Sequence, residues 1–310
     1  MNRRAQAPPI PPEAPVTSTR FPASPVSTTC KATSVKVFII SDIEGCAGVV
    51  KGAQTGPPPH GDATLYQEGR KLYTEEINAA VRGAKAAGGT EIVVMDCHGA
   101  GDGYTFNSLI AEDLDPDCEF VVQDEWTEYT EFLEQGVDAA LFVGMHARAG
   151  TAEGVMNHTV SGPDFQNLWF NGTLVGETGI NAALCGAWGC PVLMVTGDHA
   201  ACREGTELLG DGLTTVQVKR GTGVQSARSL VPSRAREAIE AGAKQALQDL
   251  NAVAPYDPGK PCEIRVEFKR TGPVAKLRNQ HGVEIVDART IVSRGDEWWT
   301  AWRQFFYLTQ

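Results

Sequence analysis

Val35-Lys36-Val37-Phe38-Ile39-Ile40, running into Ser41-Asp42-Ile43-Glu44-Gly45, decides how this 310-residue chain folds. Six residues rich in β-branched side chains, with Lys36 the only polar interruption, read as a strand buried on both faces. A helix is predicted next, from about Leu65 to Ala87, with Leu72, Tyr73, Ile77, Ala80, Val81 and Ala84 on one face and Gly88-Gly89 to end it. Further short apolar runs follow at Glu91 to Met95, Ala139 to Met145 and Pro191 to Thr196. Strands alternating with helical stretches imply parallel pairing through helical crossovers, so the fold expected is α/β, three αβα layers around a mostly parallel central sheet. Between the third and fourth runs, Asn171-Gly172 sits between Leu168-Trp169-Phe170 and Thr173-Leu174-Val175, which is a hairpin signal.

On either side of this pattern the chain changes character. Residues 1–34 hold seven of the 18 prolines and few aliphatics, a composition unable to bury enough apolar surface to offset chain entropy, and a disordered tail is expected there. After about residue 222 come an Ala-rich helix at 233–250 and a cleanly alternating strand at Glu263 to Phe268. Strand candidates at 273–278 and 283–292 follow, then a last helix at 296–308 carrying Trp298, Trp302, Phe305 and Phe306. The expected division is a tail at 1–34, an α/β metal-binding catalytic domain at 35–222 and a small α+β domain at 223–310. The aromatic helix is expected to dock on the core or on a neighbouring subunit.

Lys and Arg number 27 against 38 Asp and Glu, a net charge of −11. Four basic residues and one acidic residue lie in the tail, so residues 35–310 stand at −14. Nucleic-acid binding is excluded by that balance, because neutralising phosphates needs clustered basic surface. No run approaches the roughly 18 apolar residues of a membrane span, and the first residues lack a signal-peptide core, so a cytoplasmic location is expected. Eight cysteines without a Cys-x-x-Cys pair or regular spacing read as reduced thiols.

Each buried run leads into ionisable residues: the first into Asp42 and Glu44, the second into Asp96-Cys97-His98, the third into His146-Ala147-Arg148, and the fourth into Asp198-His199. In open parallel sheets the carboxyl ends of the strands share one edge, where ligands bind. Asp42 and Glu44, two apart, point to the same side of an extended chain, and neighbouring strands lie only about 5 Å apart. Carboxylates gathered there without matching basic residues repel one another unless a cation sits among them, and the imidazoles of His98 and His146 favour a transition metal, zinc above all. Taken singly, Asp-x-Glu is an ordinary turn and a strand-end histidine an ordinary loop residue; the coincidence carries the inference. Glu177 reads as well as a carboxylate favoured in a helix first turn, and His158 as an exposed loop residue. Gly99-Ala100-Gly101-Asp102-Gly103-Tyr104 starts like a dinucleotide loop but lacks its third glycine, and Cys46 and Cys97, near the proposed site, are weak candidates as ligands or nucleophiles.

Five motifs in order, Ser41-Asp42-Ile43-Glu44-Gly45, Asp96-Cys97-His98, Gly144-Met145-His146-Ala147-Arg148-Ala149, Gly154-Val155-Met156-Asn157-His158 and Val175-Gly176-Glu177-Thr178-Gly179-Ile180-Asn181, resemble the zinc-dependent D-aminopeptidases, self-compartmentalising peptidases of the dipeptide-transport-operon type. The resemblance runs from Val35 to the C-terminus. It implies two Zn2+ ions per subunit held by Asp42, Glu44, His98, His146 and Glu177, with Asp42 bridging, and His158 as a further active-site residue. It also implies short peptides with N-terminal D-amino acids, D-Ala-like, as substrates, and a homo-oligomer, in the family a ring-shaped decamer. His158 is described in the family as a nucleophile, but a two-metal site already supplies a hydroxide for attack on the carbonyl, so a proton-shuttling or oxyanion-stabilising role is expected.

A metal-dependent phosphohydrolase is the alternative enzyme, since paired carboxylates after a first strand also suit magnesium. Two histidines favour a softer metal, and only Arg148 near the strand ends would serve a phosphate. A non-catalytic scaffold on the same fold is the other alternative, and it has no need of ligand candidates at all five positions.

Overall fold

The computed structural model describes residues 34–99, 106–123 and 129–309. The tail expected at 1–34, except its last residue, and most of the glycine stretch at 99–104 lie outside them. Strands follow in chain order as β1 (Val35–Ser41), β2 (Gly89–Asp96), β3 (Glu119–Phe120), β4 (Ala139–Met145), β5 (Phe165–Phe170), β6 (Thr173–Val175), β7 (Val192–Asp198), β8 (Thr214–Gly223), β9 (Ser226–Ser229), β10 (Cys262–Phe268), β11 (Val283–Ile285) and β12 (Thr290–Gly295). Helices are α1 (Ala63–Ala86), α2 (Glu131–Glu134), α3 (Glu177–Ala187), α4 (His199–Leu209), α5 (Pro232–Ala246), α6 (Gly272–Lys276), α7 (Trp298–Arg303) and α8 (Phe306–Thr309).

The larger sheet has the order β3-β2-β1-β4-β7-β8-β9 and is parallel throughout except for β9 at its edge. Val37 to Ile40 and Ala139 to Val143 are fully buried, as strands covered on both faces must be. The connection β1-α1-β2 steps one way along the sheet, whereas β4-α3-β7 and β7-α4-β8 step the other. Right-handed crossovers therefore set α1 on one face and α3 with α4 on the other, which makes three layers. α5 packs on α1 and completes the first layer. The Asp62 carboxylate starts α1 by accepting from the Thr64 and Leu65 amides. Tyr73, Ile77, Ala80, Val81 and Ala84 then line its fully buried face, the large ones contributing about 1.5–3 kcal/mol each.

The smaller sheet, β11-β12-β10-β5-β6, is antiparallel. Its hairpin β5-β6 is the one signalled by Asn171-Gly172, and Asn171 takes the left-handed conformation such a turn requires. β5 pairs with β10, so this sheet draws strands from both sides of residue 222, while α5, beyond that residue, belongs to the larger sheet's layers.

Three elements differ from expectation. Residues 273–278, expected as a strand, begin within α6: Pro273, which cannot donate to a ladder, suits a first helical turn. The run 283–292 is broken between β11 and β12, where the Val286 amide donates to the Thr290 carbonyl and the Asp287 carboxylate takes the Arg289 amide. The last helix is two short ones, and its aromatic side chains are buried within the chain itself, with Trp298 against Phe170 and Trp302 stacked on Phe306 at 4.3 Å. The seven cysteines among the described residues are free thiols, and no helix among those residues is long and apolar enough to cross a membrane.

Candidate metal centre

The direction of the connections reverses between β1 and β4, and in open parallel sheets a crevice opens there beyond the carboxyl ends of the strands. Register brings those ends level: Ser41 of β1 faces Asp96 of β2 and Val143 of β4, and Met145 faces Gly197 of β7. Asp42 and Glu44 follow β1, His98 follows β2, and His146 follows β4. Glu177 is the first residue of α3, which the hairpin β5-β6 delivers to the same edge.

The turn after β1 lies hard against the end of β4. The Asp42 amide donates to Val143 O at 2.8 Å and the Gly45 amide to Gly144 O at 2.7 Å. A Cβ at position 45 would stand 2.1 Å from Met145 O, so only glycine fits. Gly45→Ala is expected to destabilise the protein by about 1–3 kcal/mol, through displacement of this turn; denaturant unfolding of the metal-free protein measures it, and an unchanged midpoint would refute the close packing of turn and strand.

Six side chains expected from the sequence converge. His98 Nδ1 lies 3.2 Å from Asp42 Oδ1 and 3.0 Å from Glu44 Oε2. His146 Nε2 lies 3.3 Å from both Asp42 Oδ2 and Glu177 Oε1, and His158 Nε2 lies 3.7 Å from the same Glu177 oxygen. The rings of His146 and His158 stack with centroids 4.0 Å apart. Two groups have ligand atoms within 4.8 Å of one another: Asp42 with Glu44 and His146, and His146 with His158 and Glu177. Asp42 thus turns one oxygen to His98 and the other to His146.

Each imidazole is oriented from behind by a backbone carbonyl. His98 Nε2–H donates to Thr55 O at 2.6 Å, His146 Nδ1–H to Ala147 O at 3.0 Å, and His158 Nδ1–H to Met156 O at 2.8 Å. Because a carbonyl only accepts, these tautomers leave the inward nitrogens of the neutral rings as acceptors, aimed at carboxylate oxygens that are acceptors too. His146 Nε2 and Glu44 Oε2 are buried without a hydrogen-bond partner. Acceptor against acceptor in a buried site is costly unless a proton or a cation lies between. Imidazoles anchored by their outer N–H and carboxylates with free inner oxygens are the donor set that suits zinc.

With protons as the only cations, burial opposes charging His98 and His146, yet the carboxylates of Glu44 and Asp42 around the first, and of Glu177 and Asp42 around the second, push both imidazoles well above their usual range. Burial alone would raise Asp42, but His146 and His98 hold it well below the ordinary carboxylate range. Glu177 moves the same way, lowered chiefly by His146 against its own burial. Burial, with nearby carboxylates adding to it, pushes the Cys46 and Cys97 thiols well up, which disfavours the thiolate a ligand or nucleophile needs.

The fourth strand end does not join this cluster. Asp198 Oδ1 caps α4 through the Ala201 amide and Oδ2 takes the Val155 amide at 2.7 Å, while His199 faces Glu153 at 3.2 Å. Glu204 adds the Arg148 amide and the Thr151 hydroxyl, and it pairs with the Arg148 guanidinium at 3.0 Å. These groups grip the segment that carries His158, in which Glu153, Met156 and Val160 all have positive φ. Left-handed backbone is uncommon for such residues and costs about 1–3 kcal/mol each, strain of the kind that clusters at functional sites.

Sequence reasoning missed a supporting layer. Asp96 accepts from the Tyr73 hydroxyl and the His98 and Ser108 amides, fixing the start of the His98 loop; burial raises it to about 6. Glu76, raised by burial to about 7, accepts the Ala47 amide at 2.8 Å. Lys219, 1% exposed, donates to the carbonyls of Glu44, Cys46 and Val49. Asp96 had a signal, as the last residue of a buried strand; Glu76 and Lys219 had none, lying inside a helix face and an unpredicted strand.

Known proteins similar to this chain belong to one family. A family model described as D-aminopeptidase matches residues 35–306. A D-aminopeptidase of Bacillus subtilis (strain 168) is 31% identical over 259 residues, spanning 83% of this chain and 90% of that protein. A solved structure described as the Zn-dependent D-aminopeptidase DppA from Bacillus subtilis, a self-compartmentalizing protease, superposes with a TM-score of 0.79 at 28% identity, over 89% of this chain and 97% of that one.

Proposed function

Because this chain belongs to the D-aminopeptidase family, we propose that it is a zinc-dependent peptide hydrolase that removes N-terminal D-residues, D-alanine-like, from short peptides. The observation that carries the reading is the pair of buried acceptor clusters joined through Asp42. We assign Asp42, Glu44 and His98 as the residues that would hold one zinc, and Asp42, His146 and Glu177 as those that would hold a second. Zinc bound there supplies Lewis acidity toward the scissile carbonyl and lowers the pKa of water near it.

The residues around it supply the rest. Asp42, by facing both imidazoles, fixes the two halves at one separation, and Glu177 ties the second half to the His158 segment by accepting the Val160 amide at 2.8 Å. His158 is partly exposed, is held by Met156 O at Nδ1, and has Nε2 free to carry a proton. Stacked on His146, it is suited to deliver that proton to the leaving amine. Assembly into a homo-oligomer, with a decamer as the specific expectation, is part of this proposal and is supported by the self-compartmentalizing relative.

The phosphohydrolase alternative has less support, since Arg148 is engaged by Glu204. Elemental analysis with hydrolysis of D-alanyl p-nitroanilide and its L-isomer tests the proposal. Two zinc ions per chain, loss of activity on chelation, recovery with zinc and preference for the D-isomer are expected. Metal-free active protein would end the zinc reading, and equal cleavage of both isomers would end the D-selective one.

A further inference from the structure

We propose that Lys219 is a positioning residue of the zinc site, holding the turn that presents Asp42 and Glu44. The inference rests on the assignment of these two carboxylates as zinc ligands.

Lys219 lies on β8, three strands from β1, which at about 4.8 Å per strand is roughly 14 Å away. No lysine spans that distance, so the turn must come to it. After Asp42 the chain runs along the carboxyl edge of the sheet, bonding to Gly144 at the end of β4 and reaching β9, where the Gly48 amide donates to the Ser229 hydroxyl at 3.1 Å. Lys219 stands under this crossing. Its three ammonium protons go to the carbonyls of Glu44, Cys46 and Val49, and the Glu76 carboxylate takes the Ala47 amide between them. One buried ammonium and one buried carboxyl group, from β8 and α1, thereby fix the backbone from residue 44 to residue 49.

A hydrophobic side chain of similar length would fill the same space without the several kcal/mol that desolvating an ammonium costs. It would leave three buried carbonyls without donors, and the turn would have to move to find others. Glu44, whose own carbonyl is one of the three, would move with it. The ammonium also faces the carboxyl groups of Asp198, Glu76 and Glu44.

The test compares the full-length wild type with Lys219→Met. Folding is checked by circular dichroism and size, zinc affinity by competition with a chelator of known strength, and site geometry by the visible spectrum of the cobalt-substituted protein. The wild type is expected to take up two ions, and Lys219→Met to bind them roughly 10–100-fold more weakly, the range typical of lost supporting contacts. An altered cobalt spectrum and a fall in kcat at unchanged KM are expected alongside. A wild type that takes up no zinc defeats the site assignment and this inference together. Two ions in the wild type with undiminished affinity in folded Lys219→Met overturns the inference alone. Should Lys219→Met fail to fold, Lys219→Gln, whose shorter stem and two amide protons cannot serve all three carbonyls, decides by the same readings; failure of both to fold assigns Lys219 to the core and overturns the positioning role.

Discussion

If the proposed two-zinc assignment holds, Asp42→Ala is expected to abolish zinc binding in both halves of the site and to lower kcat/KM for D-alanyl p-nitroanilide by at least about a thousandfold. Among the described residues Asp42 is the carboxylate that faces both His98 and His146, at 3.2 and 3.3 Å. Its loss removes a ligand from each half, and the several kcal/mol of charge stabilisation that zinc supplies are worth roughly one decade of rate per 1.36 kcal/mol. Glu44→Ala serves as the contrast: Glu44 also lies within 4.8 Å of the His146 and Asp42 ligand atoms, but its closest imidazole is His98 at 3.0 Å, so its assignment to the His98 half predicts that this variant keeps one ion per chain. Elemental analysis of the two purified variants, with circular dichroism to show that both are folded, decides the matter. Two ions retained in Asp42→Ala would refute the shared-carboxylate arrangement.

His158→Ala is expected to lower kcat by about 100- to 10,000-fold, the range of a positioned proton carrier, while zinc content stays at the wild-type value. His158 is the one imidazole of the cluster with substantial exposure, and its Nε2 stands farther from Glu177 than that of His146, 3.7 against 3.3 Å. That geometry suits contact with substrate better than ligation. A fall in zinc content in this variant would make His158 a ligand, and a wild-type kcat would leave it without a role in the reaction.

Much of this candidate site was legible because parallel sheets place chemistry where buried strands end. Asp42, Glu44, His98 and His146 each come after an apolar run of five to seven residues, and the run itself announces the strand. Glu177 and His158 come after no such run. Glu177 opens a helix reached through a hairpin, and His158 sits in a segment shaped by contacts with Asp198 and Glu204. From single residues neither was distinguishable from an ordinary helix-start carboxylate or a loop histidine, and only the five-motif resemblance singled them out. Lys219 was illegible for a related reason: β8 is exposed and buried by turns, and nothing local tells that one lysine in it faces three carbonyls from a turn 170 residues earlier. The misread strand at 273–278 failed by ignoring Pro273, and the broken terminal helix by following the aromatic spacing past the point where Phe305 and Phe306 turn inward onto Trp302.

The pairing of β5 with β10 bears on how this chain can be taken apart. An excised parallel sheet ending at residue 222 would keep β5-β6 as a hairpin of two strands, which is marginal in water, and that hairpin delivers Glu177. The same cut would strip α5 from α1 and uncover a fully buried seam. The small sheet is thus a brace for the large one, and among the described residues a cut at residue 222 parts the proposed chemistry from the elements that hold it in place.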